Sequence, residues 1–240
     1  MEKSISDLRW EAAQTYEKNF WSRQTWAGNS PFQWYDIRAQ DIWKNARPLI
    51  GSGAPFSVLE IGSGPVGIVN YIKADERHSI DPLEYYFNTR PEFIAVRDRA
   101  VIRHNGIGED VNKLGKNFSL VIIDNVLDHM KDPATVLRGI HQCLKENGIM
   151  FLSLNIYTDL GVLIRNAIEL IQIDKGHPFN FSRQSIIELL NKCGFKIIVS
   201  KTDSYEASKR RYRESGRPLR ILKSYIGVSD FRFSAYCRKY

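Results

Sequence analysis

The chain has 240 residues, of which 43% are hydrophobic and 25% are charged, an ordinary composition for a globular protein. This composition excludes disordered and collagen-like structures. No apolar run approaches the roughly 20 residues of a membrane-spanning helix, and the first residues lack the apolar core of a signal peptide. The three cysteines are odd in number and far apart, which indicates free thiols in a reducing compartment. We therefore expect a cytoplasmic protein.

The positive charge of the chain is concentrated in one segment. The net charge is +7, and residues 209–223 hold seven basic residues and one acidic residue, so that 7 − 1 = +6 lies in this window. Such a segment could contact phosphates or an acidic partner. The favoured interpretation is a solvated loop between two strands.

The first 50 residues form an aromatic-rich leading segment with a helical pattern. All five tryptophans lie in it: Trp10, Trp21, Trp26, Trp34 and Trp43. Most of these rings are expected to pack on the domain that follows, because aromatic side chains bury the most surface. A segment of this kind could also form a lid over a ligand. The predicted organisation is a helical cap over 1–50, a break at 51–55 and a core domain over 56–240.

Strand and helix patterns alternate from residue 56 onward. The predicted strands are SVLEI, HSID, AVIRHN, FSLVIID, IMFLSLN, FKIIVS and SDFRFSAYCRKY. The predicted helices are GIVNYIK, a helix capped by Asp132 that ends on Gly148, a helix within 158–173, and a helix capped by Ser182 that ends on Gly194. Pro91 begins a polar, irregular connection. This alternation predicts a mainly parallel sheet with helices on both faces, and a ligand site beyond the carboxyl ends of the strands.

The turn after the first strand carries the most informative residues. Gly62, Gly64 and Gly67 satisfy the G-x-G-x-x-G pattern of dinucleotide-binding proteins. Glu60, however, stands at the end of an apolar strand, where an ionised carboxylate is costly unless a cation or hydrogen-bond donors meet it. An anionic pyrophosphate would oppose it, whereas S-adenosylmethionine (SAM) carries an ammonium and a sulfonium group. Glu60 therefore favours SAM; alternatively, it only accepts backbone hydrogen bonds.

Further polar or small residues follow the next three strands. Asp81 lies about twenty residues after Glu60, where an acid can accept hydrogen bonds from ribose hydroxyls. Because Pro82 follows it, Asp81 could instead be a turn residue. The candidates after the third and fourth strands are Gly108, Glu109, Asp124 and Asn125. The recurrence of such residues at successive strand ends predicts one pocket.

Over roughly residues 56–200, the chain resembles the class I SAM-dependent methyltransferases. The resemblance rests on the order and spacing of VLEIGSGPVG, SID, GIGED, FSLVIIDNVLDHMKDPATVLRGIHQCLKENGIMFLSLN and GHPFNFSRQSIIELLNKCGF. It implies an α/β fold of Rossmann-like architecture, with a seven-stranded, mostly parallel sheet whose last strand is antiparallel. The glycine turn departs from the family pattern at Pro65 and Val66.

The resemblance also implies roles for individual residues. Glu60 and the turn from Gly62 through Ser63 to Gly64 would border the methionine end of SAM. Asp81 would hold the ribose. The residues that would flank adenine and close the pocket are Gly108, Glu109, Asp124 and Asn125.

The expected reaction is methyl transfer to a small-molecule or saccharide acceptor, at oxygen rather than nitrogen. A hydroxyl acceptor must lose a proton, and His129 and His177 are the candidate bases, with Asp128 available to orient either one. The sequence shows no metal-like cluster of histidine and aspartate, which argues against a magnesium-dependent enzyme of the catechol type, and no metal is predicted. Substrate specificity is expected from the cap and from segments 157–180 and 205–225.

Three alternatives remain open at this point. An RNA-modifying methyltransferase is favoured by the arginine-rich segment, but no separate RNA-binding module and no NPPY-like motif is present. A catalytically silent, methyltransferase-like protein is disfavoured by the intact Glu60, glycines and Asp81. A dinucleotide oxidoreductase is disfavoured by Glu60. The oligomeric state is not predicted.

Overall fold

The computed structural model describes residues 4–23, 32–51, 55–169 and 176–240, and its centre is a seven-stranded sheet. The strands are β1 Ser57–Ile61, β2 Glu76–Asp81, β3 Val101–Asn105, β4 Phe118–Asp124, β5 Leu144–Ile156, β6 Phe195–Thr202 and β7 Phe231–Lys239. Their order across the sheet is β3-β2-β1-β4-β5-β7-β6. The pairs among β1 to β5 are parallel, and β7 is antiparallel to both of its neighbours. The predicted Rossmann-like sheet with an antiparallel last strand is confirmed.

Helices connect these strands and precede the first of them. The α-helices are α1 Asp7–Arg23, α2 Gln33–Ala46, α3 Glu84–Phe87, α4 Pro91–Ile94, α5 Pro133–Cys143, α6 Asp159–Glu169, α7 Arg183–Lys192, α8 Tyr205–Arg213 and α9 Pro218–Tyr225. Short 3-10 helices lie at Arg47–Leu49, Ile68–Tyr71, Gly108–Leu114 and Leu127–His129. Both predicted caps are confirmed, because the Asp132 side chain accepts hydrogen bonds from the first turn of α5, and Ser182 forms a capping box at α7.

The sheet is buried on both faces, as β4 demonstrates. Its side chains alternate between the faces because successive residues of a strand point in opposite directions. Leu120 and Ile122 pack into the cluster that contains α2, whereas Val121 and Ile123 pack into the cluster that contains α5 and α7. All four are fully buried. This arrangement confirms the predicted helices on both faces and explains the four consecutive apolar residues of β4.

Two helices predicted from the sequence are shorter than expected. GIVNYIK forms only the 3-10 helix Ile68–Tyr71, because the chain must return to the sheet almost at once: the Asp75 N–H donates to the Phe56 carbonyl at 2.9 Å. The helix that was expected to reach Gly148 ends at Cys143. The residues after Cys143 already belong to β5 and pair with β4.

The basic segment 209–223 is not the expected loop between two strands. It forms the end of α8 and most of α9, which together connect β6 to β7. The Ser204 side chain starts α8 by accepting a hydrogen bond from the Ala207 N–H. The expected irregular connection after Pro91 contains α4. Of the helix predicted within 158–173, α6 covers the first part, and residues 170–175 lie outside the described residues.

The aromatic leading segment supplies α1 and α2, and its rings divide between the core and the surface. Tyr35 is buried in the cluster beneath α2, and the Trp43 ring packs edge-on against Phe56 with centroids 4.9 Å apart. Trp34 is half exposed, and Trp26 lies outside the described residues. The division into a cap and a core domain stays a prediction, as does the break at 51–55, most of which is not described. None of the described helices is long and apolar enough to cross a bilayer.

Candidate active site

A cavity of about 400 Å³ lies at the carboxyl ends of β1, β2 and β4. Its lining includes all nine residues predicted for cofactor binding: Glu60, Gly62, Ser63, Gly64, Asp81, Gly108, Glu109, Asp124 and Asn125. Both candidate catalytic histidines, His129 and His177, line it as well. They meet because parallel strands end at the same edge of the sheet. Helices α1 and α2, from the segment predicted to be a cap, contribute these side chains to the cavity lining: Trp10, Gln14, Tyr16, Glu17, Phe20, Trp21, Trp34 and Tyr35.

The glycine turn is closely packed on both sides. Gly62 has a φ of +69°, and a Cβ there would lie 2.3 Å from Cγ2 of Val126, so only glycine fits. The Gly64 N–H donates to Oδ2 of Asp81 at 2.8 Å, which holds the turn against the end of β2. A Cβ on Gly64 would lie 3.2 Å from the Tyr35 hydroxyl, so the cap closes directly over the bare backbone of the turn.

Glu60 is a buried carboxyl at the base of this turn. Its side chain is 3% exposed, and Oε2 accepts a hydrogen bond from the Val69 N–H at 2.9 Å. Burial raises the pKa of Glu60 to about 8, although the N–H groups of Val69 and Ile68 act in the opposite direction. Glu60 therefore accepts backbone hydrogen bonds, as the alternative interpretation of the sequence had it. Its carboxyl also belongs to the cavity lining, where a cation would ionise it.

Asp81 joins the glycine turn to the residues after β2. Its Oδ2 accepts from Gly64, and Oδ1 accepts from the Leu83 N–H at 2.8 Å. Burial raises its pKa to about 6. Asp81 thus has the turn role that Pro82 suggested. Each carboxylate oxygen can still accept a second hydrogen bond, so the predicted contact with ribose hydroxyls is compatible with these bonds.

Gly108 and Glu109 occupy a tightly packed wall of the cavity. A Cβ on Gly108 would lie 3.0 Å from Cγ2 of Ile61 and from Sδ of Met130. Oε1 of Glu109 accepts hydrogen bonds from the backbone N–H groups of Lys131 and Asp132, at 2.8 and 2.9 Å. Oε2 of Glu109 is buried and has no hydrogen-bond partner among the described residues. Oε1 thus fixes the residues that precede α5, and Oε2 can accept a hydrogen bond from a ligand.

Asp124 is held by a cap residue that the sequence analysis missed. Nε of Arg38, in α2, donates to Oδ2 of Asp124 at 3.0 Å, and Nη2 donates to Oδ1 at 2.9 Å. The Asp124 side chain is only 2% exposed. No local sequence signal could identify Arg38, because 86 residues separate the two partners. Asp124 lines the pocket as expected, but its charge is neutralised by the cap.

Asn125 and Ser63 place further polar groups beside the cavity. Asn125 has a φ of +58°, and it is the only non-glycine residue with a positive φ among those described. Its N–H donates to the Ser153 carbonyl, and its side-chain Oδ1 is buried and finds no hydrogen-bond partner within residues 4–23, 32–51, 55–169 and 176–240. The Ser63 hydroxyl donates to the Gly64 carbonyl at 3.3 Å. A strained backbone that holds an unsatisfied amide oxygen is typical of a functional position.

The second half of the cavity contains Asp128, His129 and His177, which we term the histidine–aspartate cluster. Nδ1 of His177 lies 3.0 Å from Oδ2 of Asp128, and the two imidazole rings are 4.4 Å apart. Nε2 of His129 is 3.8 Å from Oδ1 of Asp128, and its Nδ1 is 3.4 Å from Oε1 of Glu17. Burial opposes ionisation of Asp128, but the two histidines outweigh it and lower its pKa to about 2.

This cluster corrects one conclusion of the sequence analysis. Each member offers a ligand atom, and these atoms all lie within 4.8 Å of one another, so a metal-like grouping of histidine and aspartate is present. This grouping could not be recognised from the sequence, because 49 residues separate His177 from Asp128. The expected role of Asp128 as an orienting partner has its geometric basis in the contact with His177.

Comparison with known proteins identifies the family. The model of a methyltransferase domain matches residues 32–200, which is more than half of the chain. The chain belongs to this methyltransferase family. It is a class I SAM-dependent methyltransferase, as the resemblance of the sequence implied, and SAM is its cofactor. A search of curated proteins finds no match.

Solved structures share the fold of this methyltransferase at low sequence identity. Magnesium protoporphyrin IX methyltransferase from Synechocystis, with bound S-adenosylhomocysteine (SAH), has a TM-score of 0.55 at 14% identity, covering 96% of each chain. The N-methyltransferase NodS from Bradyrhizobium japonicum, in complex with SAH, has a TM-score of 0.54 at 15% identity, covering 95% of this chain and 98% of NodS. The [4+2]-cyclase SpnF has a TM-score of 0.61 at 13% identity, covering 96% of each chain.

The cavity of the methyltransferase fits a cofactor with cationic and hydrogen-bonding groups. Glu60 is a buried carboxyl without a side-chain cation within hydrogen-bonding reach among the described residues. Glu109 and Asn125 each keep a buried oxygen that has no hydrogen-bond partner in the part of the chain that the structure describes. Of the described residues in segment 157–180, His177 lines the cavity, whereas segment 205–225 contributes none. The cytoplasmic location stays a prediction.

Proposed function

We propose that the chain transfers the methyl group of SAM to a hydroxyl oxygen of a small molecule or saccharide. SAM supplies an electrophilic methyl carbon, so the protein mainly has to align the acceptor oxygen with it and exclude water. The cavity has to hold both SAM and the acceptor, and its volume of about 400 Å³ beneath aromatic side chains of α1 and α2 suits a small acceptor. Specificity would come first from the cap, with segments 157–180 and 205–225 shaping the approach.

The cofactor-binding roles follow from the side chains that line the cavity. Glu60 would hold the ammonium group beside the turn that contains Ser63, and Asp81 would accept hydrogen bonds from the ribose. The remaining cofactor contacts would come from the other lining positions: Gly62, Gly64, Gly108, Glu109, Asp124 and Asn125. Asp124 would act together with Arg38, since its carboxylate is paired.

The contact between Asp128 and His177 carries the proposal of an oxygen acceptor. Because Nδ1 of His177 donates to Asp128 at 3.0 Å, the neutral imidazole carries its lone pair on Nε2, which makes Nε2 the proton-accepting nitrogen. Asp128 stays anionic, with its pKa lowered to about 2 by the two histidines, and would stabilise the imidazolium ion that forms. The His177 side chain is 35% exposed, against 11% for His129. His177 is therefore our first candidate for the general base and His129 the second.

The alternatives receive less support from the site. The basic residues of α8 and α9 do not line the cavity, which weakens the case that they present an RNA acceptor. The family match over residues 32–200 argues against a catalytically silent protein. Methyl transfer to an identified acceptor is the direct test.

The experiment follows transfer of a radiolabelled methyl group from SAM to a panel of alcohols, saccharides, amines and single-stranded RNA. Labelled alcohol or saccharide supports the proposal, whereas label only in amines or RNA, or in nothing although SAM binds, contradicts it. His177→Gln and Asp128→Asn should lower kcat about 100-fold or more while SAH affinity stays near native. His141→Gln, on α5 outside the cavity, is the matched control. Native kcat in His177→Gln would exclude the base role.

A further inference from the structure

Helices α6 and α9 expose large apolar side chains that nothing in the described part of the chain covers. Six of them are between 41% and 71% exposed: Leu160, Leu163, Leu219, Leu222, Tyr225 and Ile226. We call this set the apolar patch. In α9 and the residue after it, the spacing of i, i+3, i+6 and i+7 places four of them on one helical face. In α6 the two leucines are three residues apart and share a face for the same reason.

The start of α6 and the end of α9, which carry the two halves of the apolar patch, lie close together. A Cβ on Gly161, near the start of α6, would lie 3.0 Å from the carbonyl oxygen of Gly227, just after α9. The opposite side of α9 faces the protein, because Ser224 is fully buried. The exposed face of α9 is thus directed away from the core, and the approach of Gly161 to Gly227 places the start of α6 beside the end of this helix. Contiguous exposed apolar surface on a globular protein marks an interaction site.

A rim of positive charge borders the apolar patch. It consists of the seven basic residues of segment 209–223: Lys209, Arg210, Arg211, Arg213, Arg217, Arg220 and Lys223. Four arginines of this basic rim line an open groove between α8 and α9. The Arg213 guanidinium lies 5.0 Å from the centre of the Tyr225 ring, which joins the rim to the patch. No ion pair neutralises the basic rim within the described residues.

We propose that the apolar patch and the basic rim together bind the surface of an anionic lipid bilayer. An amphipathic helix with apolar side chains on one face and lysine or arginine beside them lies in the plane of a membrane interface. The leucines and the isoleucine would enter the acyl boundary. The arginines would remain among the lipid phosphates.

Charge and composition favour this occupant over two others. A two-fold dimer through the apolar patch would bring two segments of charge +6 together, which Coulomb repulsion opposes. Single-stranded RNA binds on platforms where bases stack on aromatic side chains, and the apolar patch offers only Tyr225 as an aromatic ring. An anionic bilayer satisfies the apolar and the basic features at once.

Co-sedimentation with vesicles tests the proposal. The native protein should bind phosphatidylcholine vesicles that contain phosphatidylglycerol, bind weakly to phosphatidylcholine alone, and dissociate as salt is added. The triple variant Arg210→Glu, Arg217→Glu, Arg220→Glu should bind about 100-fold more weakly, since each basic side chain near an anionic surface contributes roughly fivefold. Leu219→Ser with Leu222→Ser should weaken binding about tenfold or more.

Matched variants on other surfaces provide the controls. Lys44→Glu, Arg99→Glu, Lys196→Glu makes the same change in net charge at exposed sites outside the basic rim, and Ile102→Ser removes an apolar side chain that is 48% exposed. Both should bind vesicles as the native protein does. SAH affinity, measured on every variant, reports folding independently of lipid. If the native protein did not bind SAH, that result would count against the proposed function and not against the membrane proposal.

Three results would overturn the membrane proposal. The first is that native protein with normal SAH affinity fails to bind anionic vesicles. The second is that the matched charge control loses binding as fully as the rim variant. The third is that the surface has another partner. This would follow if the native protein bound single-stranded RNA but no vesicles and the rim variant lost the RNA binding. It would also follow if the native protein were a dimer and the leucine variant a monomer.

Discussion

Glu60 should make cofactor affinity strongly dependent on pH. Burial raises the pKa of this carboxyl to about 8 in the cavity without ligand, whereas the ammonium group of a bound cofactor favours the ionised form. Below that pKa, Glu60 therefore has to lose its proton when the cofactor binds, and cofactor affinity falls tenfold for each further unit by which the pH is lowered. With a pKa of about 8, the factor 1 + 10^(pKa − pH) grows from about 4 at pH 7.5 to about 300 at pH 5.5, an expected loss of about 75-fold.

Calorimetric titration with SAH at these two pH values measures the loss. Asp81, with a pKa raised to about 6, also titrates in this range, so the quantity to compare is the native loss relative to that of Glu60→Gln. This variant keeps the shape of the side chain and removes its titration. Equal losses in both proteins would refute our reasoning. The sign for stability is opposite: because folding raises this pKa, the protein without ligand should lose stability as pH rises from about 4.5 through 8.

Three other changes test the site in different ways. Gly62→Ala should cost about 3 kcal/mol or more in urea denaturation, because its Cβ would lie 2.3 Å from a valine methyl; Gly115→Ala, also at positive φ but with open space around it, should cost only about 1 kcal/mol, and equal costs would contradict the clash. Arg38→Ala should cost about 3–5 kcal/mol by leaving Asp124 buried and unpaired, and adding Asp124→Asn should restore part of it; a loss that the second substitution does not reduce would exclude this cause. If the histidine–aspartate cluster acts through a free base, chelators should leave methyl transfer unchanged; a loss that a divalent ion reverses would assign the cluster as a metal site.

The agreement between sequence and structure is greatest where the signal is local. Glycines in the first turn, Asp132 before proline and Ser182 before α7 act on their immediate neighbours, so their turns and caps could be predicted. The consecutive apolar residues of β4 are also a local signal, and they correctly indicated that this strand is buried on both faces. The errors fall where two elements compete for a segment. Residues after Cys143 suit a helix by pattern, but pairing with β4 draws them into the sheet.

The positions of the candidate site residues followed from topology, while their partners did not. Because parallel strands end at one edge, residues that follow β1, β2, β3 and β4 had to meet there, and all of those predicted line the cavity. The pairing of Asp124 with Arg38 depends on how α2 docks on the sheet, and sequence spacing carries no information about docking.

The sequence by itself determined the family, the cofactor and the edge of the sheet where the site lies, because each depends on short motifs in a repeating strand–helix order. Tertiary structure decided the state of the charged groups. It buried Glu60 enough to raise its pKa, brought His177 to Asp128 across 49 residues, and folded the basic segment into two helices. Each of these outcomes depends on distances and burial between residues far apart in the chain, which only packing fixes.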